Sequence, residues 1–297
     1  MVAIIIVGFK NDDLTISFVK NELKKVQTEH ITILVNNSST NASNLHLKSS
    51  LDGVVVRSQD EEIDTSKLFY VIDSPDNLGF AKANNLGAQF VKNHFPQCEY
   101  FLFSNNDIRI VDAHVVEKMI EVLNSDSRIG IITPNIIGID GKRQTPQKQV
   151  GIVSYSFKLL FGMITRGVLS KYQKSYAETA DSGFHYSFSE CFFMTRTEDY
   201  MNCGMMDPHT FLYAEGLCLS ERMLRINKQY FFEPSVSVIH ENGTTTRKSI
   251  NNTRMTKLMM ESNAHYFKTY TNCSSISLAL YSCLCNFRIW LSKIRNK

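Results

Sequence analysis

The chain has 297 residues, 43% of them hydrophobic, which suffices to bury one large domain, or a domain with an appendage, and excludes a disordered polymer. A formal net charge of +3 is too small for a nucleic-acid-binding surface, but the charge is uneven: Lys248 to Lys297 holds eight Lys or Arg and one acid, Glu261. That leaves the first 247 residues slightly acidic and makes the tail a candidate for contact with something anionic.

The opening MVAIIIVGFKNDD has no basic region before its apolar run, and the run is too short for a secretory core, so it reads as a buried first strand at Val2 to Val7. A polar loop at Lys10 to Asp13 and an amphipathic stretch carrying Leu14, Phe18, Leu23 and Val26 predict a loop and a helix. Ile31 to Val35 is a second apolar run, ending in the polar cluster Asn36 to Asn41, and further strands are predicted at Val54 to Val56 and Phe69 to Ile72. Asn77-Leu78-Gly79 leads into a helix from Phe80 to Asn93. Tyr100 to Phe103 is a short strand that stops at Ser104-Asn105-Asn106-Asp107. A helix at Ala113 to Leu123 and a strand at Ile129 to Thr133 continue the alternation, which predicts a mostly parallel sheet flanked by helices. Ligands in such sheets sit beyond the carboxyl ends of strands, where both polar clusters fall.

Beyond a polar segment with Pro146, residues Val153, Phe157, Leu160, Phe161, Ile164 and Val168 recur at helical spacing among Lys158, Arg166, Lys171 and Lys174, which fits an amphipathic helix with a basic face or a core helix with one solvated side. Ile276 to Leu291 is apolar again and ends basic with Arg288, Lys293 and Arg295, but it is short for a membrane span. The seven cysteines are odd in number and show no C-x-x-C spacing, which suits a reduced cytosolic compartment.

The order of the polar clusters resembles the family 2 inverting GT-A glycosyltransferases, in particular the bacterial rhamnosyltransferase-like branch of surface polysaccharide (O-antigen and capsule) assembly, over about residues 2 to 245. Val35-Asn36-Asn37-Ser38-Ser39-Thr40-Asn41 resembles a V-D-N-x-S-x-D loop with both aspartates as asparagine, and Asn77-Leu78-Gly79-Phe80-Ala81-Lys82-Ala83-Asn84-Asn85 resembles N-x-G-x-x-x-x-x-N. The resemblance implies a nucleotide-sugar donor held by Val7, Phe9, Asn36, Asn37, Ser39, Asn77, Gly79, Phe80, Lys82, Asn85, Asn105 and Asn106, with the diphosphate at the helix start after Gly79. Ser104-Asn105-Asn106-Asp107 stands where the family reads N-x-D or D-x-D, which implies Asp107 as a ligand of Mg²⁺ or Mn²⁺; His240 of His240-Glu241-Asn242-Gly243 is the second implied ligand.

Gly204 to Leu219 resembles G-x-F-D-x-x-F-F-x-Y-x-E-D-x-D-L with Gly216 and Cys218 in place of the aspartates. It implies Glu215 as the general base, failing which a shifted loop or Asp207 must serve. Arg222 and Arg196 match two further family arginines. These expectations make residues 1 to 245 a GT-A catalytic domain with an insertion at 145 to 180, and residues 246 to 297 a helical basic tail. The implied acceptor is a lipid-linked glycan, with the chain cytoplasmic and peripheral on the inner face of the cytoplasmic membrane; a second copy of the chain is the other partner considered for its helical parts. Two other function classes compete. A GT-A-shaped binding or scaffold protein would have lost catalysis with the acids at 216 and 218. A nucleotidyltransferase would need a glycine-rich basic loop after the first strand, where Gly8-Phe9-Lys10-Asn11 has a single glycine.

Overall fold

The structure, a computed structural model, describes residues 1–56, 62–157, 176–241 and 252–295. Ten strands form one sheet: β1 (Val2–Gly8), β2 (His30–Asn37), β3 (Val54–Val56), β4 (Phe69–Ser74), β5 (Tyr100–Ser104), β6 (Ile108–Ile110), β7 (Ile129–Gly138), β8 (Gly183–His185), β9 (Phe192–Arg196) and β10 (Gln229–His240). Their order is β3-β4-β2-β1-β5-β9-β7-β10-β6, with β8 added on β10. The first five in that order run parallel, which accounts for their continuous apolar runs: both faces of β1 are covered, and Val2 to Ile6 are fully buried. Helices α1 (Asp12–Asn21), α2 (Asn41–Leu51), α3 (Gly79–His94) and α4 (Val115–Ser125) supply the covering layers; α1, α3 and α4 lie close to predicted spans, whereas α2 has no predicted counterpart. Later come α5 (Thr197–Asn202), α6 (Glu215–Leu224), α7 (Asn252–Tyr270) and α8 (Ser275–Arg295).

Two antiparallel pairings, one at the middle of the sheet and one at its end, decide where the chemistry sits. β9 runs against β5, with Phe192 opposite Ser104, so the start of β9 lies beside the end of β5. β6 runs against β10, with Ile108 opposite His240, so the end of β10 lies beside the residue that follows Asn106. Segments 84 and 133 residues apart in sequence from Asp107 therefore meet it at one sheet edge, at Cys191 and His240.

The tail packs on the rest of the molecule. Met260, Tyr266 and Phe267 of α7, with Tyr281 and Cys285 of α8, form one buried cluster with Cys218 of α6 and Ile152. The amphipathic stretch predicted from 153 to 174 falls mostly on residues 158–175, outside the described residues; residues 152–157 are helical, with Ile152 turned into this cluster and Val153 and Phe157 exposed. No helix among the described residues is long and apolar enough to cross a membrane.

Candidate active site

Asp107 and His240 meet as expected, with Asp107 Oδ1 3.3 Å from His240 Nε2 and both side chains largely buried. The other ring nitrogen, Nδ1, lies 2.8 Å from Gln144 Oε1. An amide oxygen only accepts, so Nδ1 carries the hydrogen and Nε2 turns to the carboxylate. A neutral imidazole in that tautomer would set two lone pairs against each other, so a positive charge belongs between them. Burial lowers the proton affinity of His240, but the Cys191 thiol and the Asp107 carboxylate beside it outweigh burial and raise it in the protein alone. A divalent ion satisfies the same geometry: two ligand atoms about 2.1 Å from one ion at a right angle are about 3 Å apart. A carboxylate with one imidazole suits Mn²⁺ better than Mg²⁺, which prefers oxygen donors, and Gln144 orients the imidazole from behind.

The loops at the ends of β1, β2 and β4 are tied together by their own amides. Asn37 Nδ2 donates to Asn77 Oδ1 (3.0 Å), while Asn37 Oδ1 accepts from the Leu78 amide (2.8 Å). Asn77 Oδ1 also accepts from the Gly79 amide (3.1 Å). Asn36 Nδ2 donates to Ser43 and Asn44, and Ser39 Oγ donates to Asp73 (2.5 Å). Gly79 opens α3 at φ +77°, and a Cβ there would lie 2.5 Å from the Phe211 carbonyl oxygen, so only glycine fits. The Phe80 amide bonds that same carbonyl at 2.9 Å, which docks the start of α3 on the loop before α6.

Four of the residues expected at the donor turn inward instead. Asn85 accepts from Tyr200 and the Met206 amide and donates to the Met206 carbonyl, and Asn106 donates to Thr15 Oγ1 (2.9 Å). Asn36 and Asn37 are buried and spend their amides on the loops just described. A buried amide is costly unless bonded, and these are bonded to protein, so they shape the site from behind. Val7, Phe9, Ser39, Phe80 and Asn105 are partly exposed, and Asn77 and Lys82 are exposed.

Beside the Asp107 and His240 pair lies a cavity of about 470 Å³, lined among others by Gln144, Gln147, Lys148, Glu190, Tyr213 and Tyr266. Gln144 thus joins the pair to the cavity, and the Cys191 carbonyl accepts from the Asn105 amide (2.8 Å), which joins Glu190 to the same strand end. Tyr213 and Ala214 both have positive φ, an unfavourable conformation for residues with a Cβ, and they turn the chain sharply into α6. Glu215, the first residue of α6, is buried with 3% exposure, and its Oε1 has no hydrogen-bond partner. Burial, then the charge of Glu190, hold its carboxyl well above the usual carboxylate range. Glu190 lines the cavity, and its Oε1 accepts from the Gly216 amide at 2.5 Å. Sequence reading missed Glu190; a lone acid in the polar run before β9 was the only available signal.

A second Asp and His grouping stands at the loop before α6. Asp207 is buried and accepts from the amide and Nδ1 of His209 (3.0 and 2.8 Å), from His265 Nε2 (2.7 Å) and from the Tyr270 hydroxyl (2.7 Å), with Arg222 at 3.8 Å. Burial opposes its charge, but these bonds hold its carboxyl well below the usual range. One ligand atom from each of Asp207, His209 and His265 lies within 4.8 Å of the others, so the group has the composition of a metal site as well as that of a latch. Arg222 and Arg196 are structural here: Arg222 also donates to the Gly204 and Met205 carbonyls, and Arg196 pairs with Asp199 at 3.0 Å.

No protein-family model and no curated protein matches the sequence. Solved structures do match in shape. The mannosyltransferase PcManGT from Pyrobaculum calidifontis, in complex with GDP-Man and Mn²⁺, superposes with a TM-score of 0.56 at 10% identity, over 95% of this chain and 69% of that one. S. aureus TarS 1-349 gives 0.53 at 12% identity over 94% and 70%, and GalNAc-T7 with UDP, GalNAc and Mn²⁺ gives 0.56 at 13% identity over 90% and 47%. Together with the sheet order, these likenesses establish the GT-A fold: a mixed, mostly parallel sheet flanked by helices.

Proposed function

We propose that the chain is an inverting glycosyltransferase that moves one sugar from a nucleoside-diphosphate donor to an acceptor hydroxyl. The observation that carries the reading is the pair of Asp107, just beyond the carboxyl end of β5, and His240, at that of β10, joined through Gln144 to a cavity lined by a carboxylate. In this reading Asp107 and His240 would hold Mg²⁺ or Mn²⁺, which when bound would supply positive charge toward the diphosphate leaving group. The Gly79 turn and the positive end of α3 orient that diphosphate, with Lys82 at its outer side. Ser39, Asn77, Val7 and Phe9 border the nucleoside, and the cavity takes the acceptor.

The finer reading rests on the sequence resemblance: dTDP-rhamnose or a UDP-linked sugar as donor, and a lipid-linked glycan of surface polysaccharide assembly as acceptor. The neighbours bound to GDP-Man, or to UDP with GalNAc, support sugar nucleotides as the donor class. Peripheral attachment to an anionic membrane face is supported by α8, whose Ile276, Leu280, Cys283, Phe287 and Trp290 are all exposed and recur at intervals of three and four residues, one face of a helix. No acid follows Glu261 in the sequence, so nothing in this tail opposes an anionic surface.

The test is nucleoside diphosphate release from a panel of dTDP-, UDP- and GDP-sugars, with and without Mn²⁺. Metal-dependent release from at least one donor is expected. A protein that binds and releases none is the scaffold of the competing reading.

A further inference from the structure

The carboxylates around the start of α6 are unequal, and the difference is one of access. Glu215 is closed off at 3% exposure, whereas Glu190 is the one carboxylate among the described residues that line the cavity. Glu190 also lies where a side chain on the neighbouring helix position would have to go. A Cβ at Gly216 would fall 2.7 Å from Glu190 Oε1 and 2.9 Å from the Phe188 carbonyl oxygen, so glycine at 216 and glutamate at 190 are two halves of one arrangement. The Gly216 amide then donates to Oε1, and the helix start favours negative charge there.

We propose that Glu190 is the general base of the sugar transfer, reaching from the turn before β9 into the space left free by the missing side chain at 216. This deepens the glycosyltransferase reading and rests on it. In the step, the acceptor O–H bond breaks and its proton passes to Glu190. The freed electron pair of the acceptor oxygen forms the bond to the anomeric carbon, and the bond from that carbon to the diphosphate breaks with its pair leaving on the diphosphate oxygen. Oε1 stays on the Gly216 amide, which leaves Oε2 to take the proton. Burial raises both carboxyls, and the charge of Glu190 raises Glu215 further, so ionisation of Glu190 favours the protonated form of Glu215.

A capping role alone would also place Glu190 here, because the residue before α6, Ala214, supplies no side-chain cap. Glu190→Gln separates the two: the amide oxygen still accepts from Gly216 but does not take a proton. The measurement is sugar-nucleotide hydrolysis, with water as the acceptor, across UDP-, dTDP- and GDP-sugars with Mn²⁺. Alongside it stand the Kd for UDP with Mn²⁺ and the melting temperature. Glu190→Gln is expected to lower kcat by about 10² to 10⁴ while KM, nucleotide affinity and melting temperature stay near the parent values. Glu190→Ala, which also removes the cap, is expected to lose the rate and melt earlier. If Glu190→Gln retains kcat within about threefold, or if Glu215→Gln loses more rate than Glu190→Gln, Glu190 is not the base and the glycosyltransferase reading survives. A parent that binds no sugar nucleotide overturns both.

Discussion

Asp107 meets one histidine where two strands end, while Asp207 meets two in a loop that a helix closes over. Around Asp107 the neighbours are His240, Gln144 behind it, Cys191, and a cavity beyond. Around Asp207 the neighbours are His209, His265, Tyr270 and Arg222, each donating a hydrogen bond or lending a positive charge. The ligand chemistry on offer is similar, yet the second carboxylate is held by four hydrogen bonds and a nearby guanidinium, while the first faces one imidazole nitrogen across 3.3 Å, a place that a proton or an ion can fill. An ion at Asp207 would have to displace good hydrogen bonds with Arg222 still 3.8 Å away. We therefore propose that the ion sits at Asp107, and that Asp207 fastens α7, through His265 and Tyr270, onto the loop before α6.

The largest effect that sharpens this contrast is on rate. Asp107→Asn is expected to reduce metal-dependent donor hydrolysis by about 10² to 10³ and to weaken Mn²⁺ binding in calorimetry, with little change in melting temperature. Asp207→Asn should do the opposite. Losing charge-assisted bonds around a buried carboxylate costs on the order of 2 to 3 kcal/mol, read by denaturant unfolding, with Mn²⁺ affinity unchanged. If Asp207→Asn abolishes Mn²⁺ binding and Asp107→Asn does not, the two assignments are reversed.

Acid separates the two sites by a smaller margin. Asp207 is held below its unfolded range, so it binds its proton less readily in the folded chain than in the unfolded one. Its stabilisation is complete above about pH 5, since unfolded aspartate titrates near 3.9, and is lost as pH falls below that value toward the folded one. Unfolding measured between pH 6 and pH 3 should therefore fall less steeply in Asp207→Asn than in the parent. Equal slopes would mean that the latch does not depend on the charge of Asp207.

Much of the fold was legible because its signals are local. The apolar run at Val2 to Val7, the helix after Gly79 and the strand ending at Ser104 lie within a few residues of their predicted ends. Gly79 itself was legible as a turn, although the reason only glycine fits, the Phe211 carbonyl, comes from a segment 132 residues away. The pairing of Asp107 with His240 followed from a resemblance, and its cause is the antiparallel contact of β6 with β10, which no local pattern encodes. Asn36, Asn37, Asn85 and Asn106 were placed at the right loops with the wrong orientation, because an amide that binds a ligand and one that braces a loop look alike in sequence. Glu190 escaped because its partner at 216 is a glycine, and the absence of a side chain says nothing about what fills the space.

The smallest expected effect concerns the surface of α8, which differs from its buried face as the two Asp sites differ from each other. Tyr281 and Cys285 point into the cluster with α7, while Phe287 and Trp290 stack on each other in the open, ring centres 5.8 Å apart. Burying either half-exposed ring in a lipid interface stabilises by about 1 to 2 kcal/mol, less than full burial of such a side chain. Phe287→Glu with Trp290→Glu removes that gain and adds repulsion from anionic lipid, so flotation with vesicles containing phosphatidylserine should fall at least tenfold, while unfolding free energy stays within about 0.5 kcal/mol of the parent. Binding that is equal on neutral and anionic vesicles, or unchanged in the double variant, removes the membrane from this reading and leaves the stripe to a second protein surface.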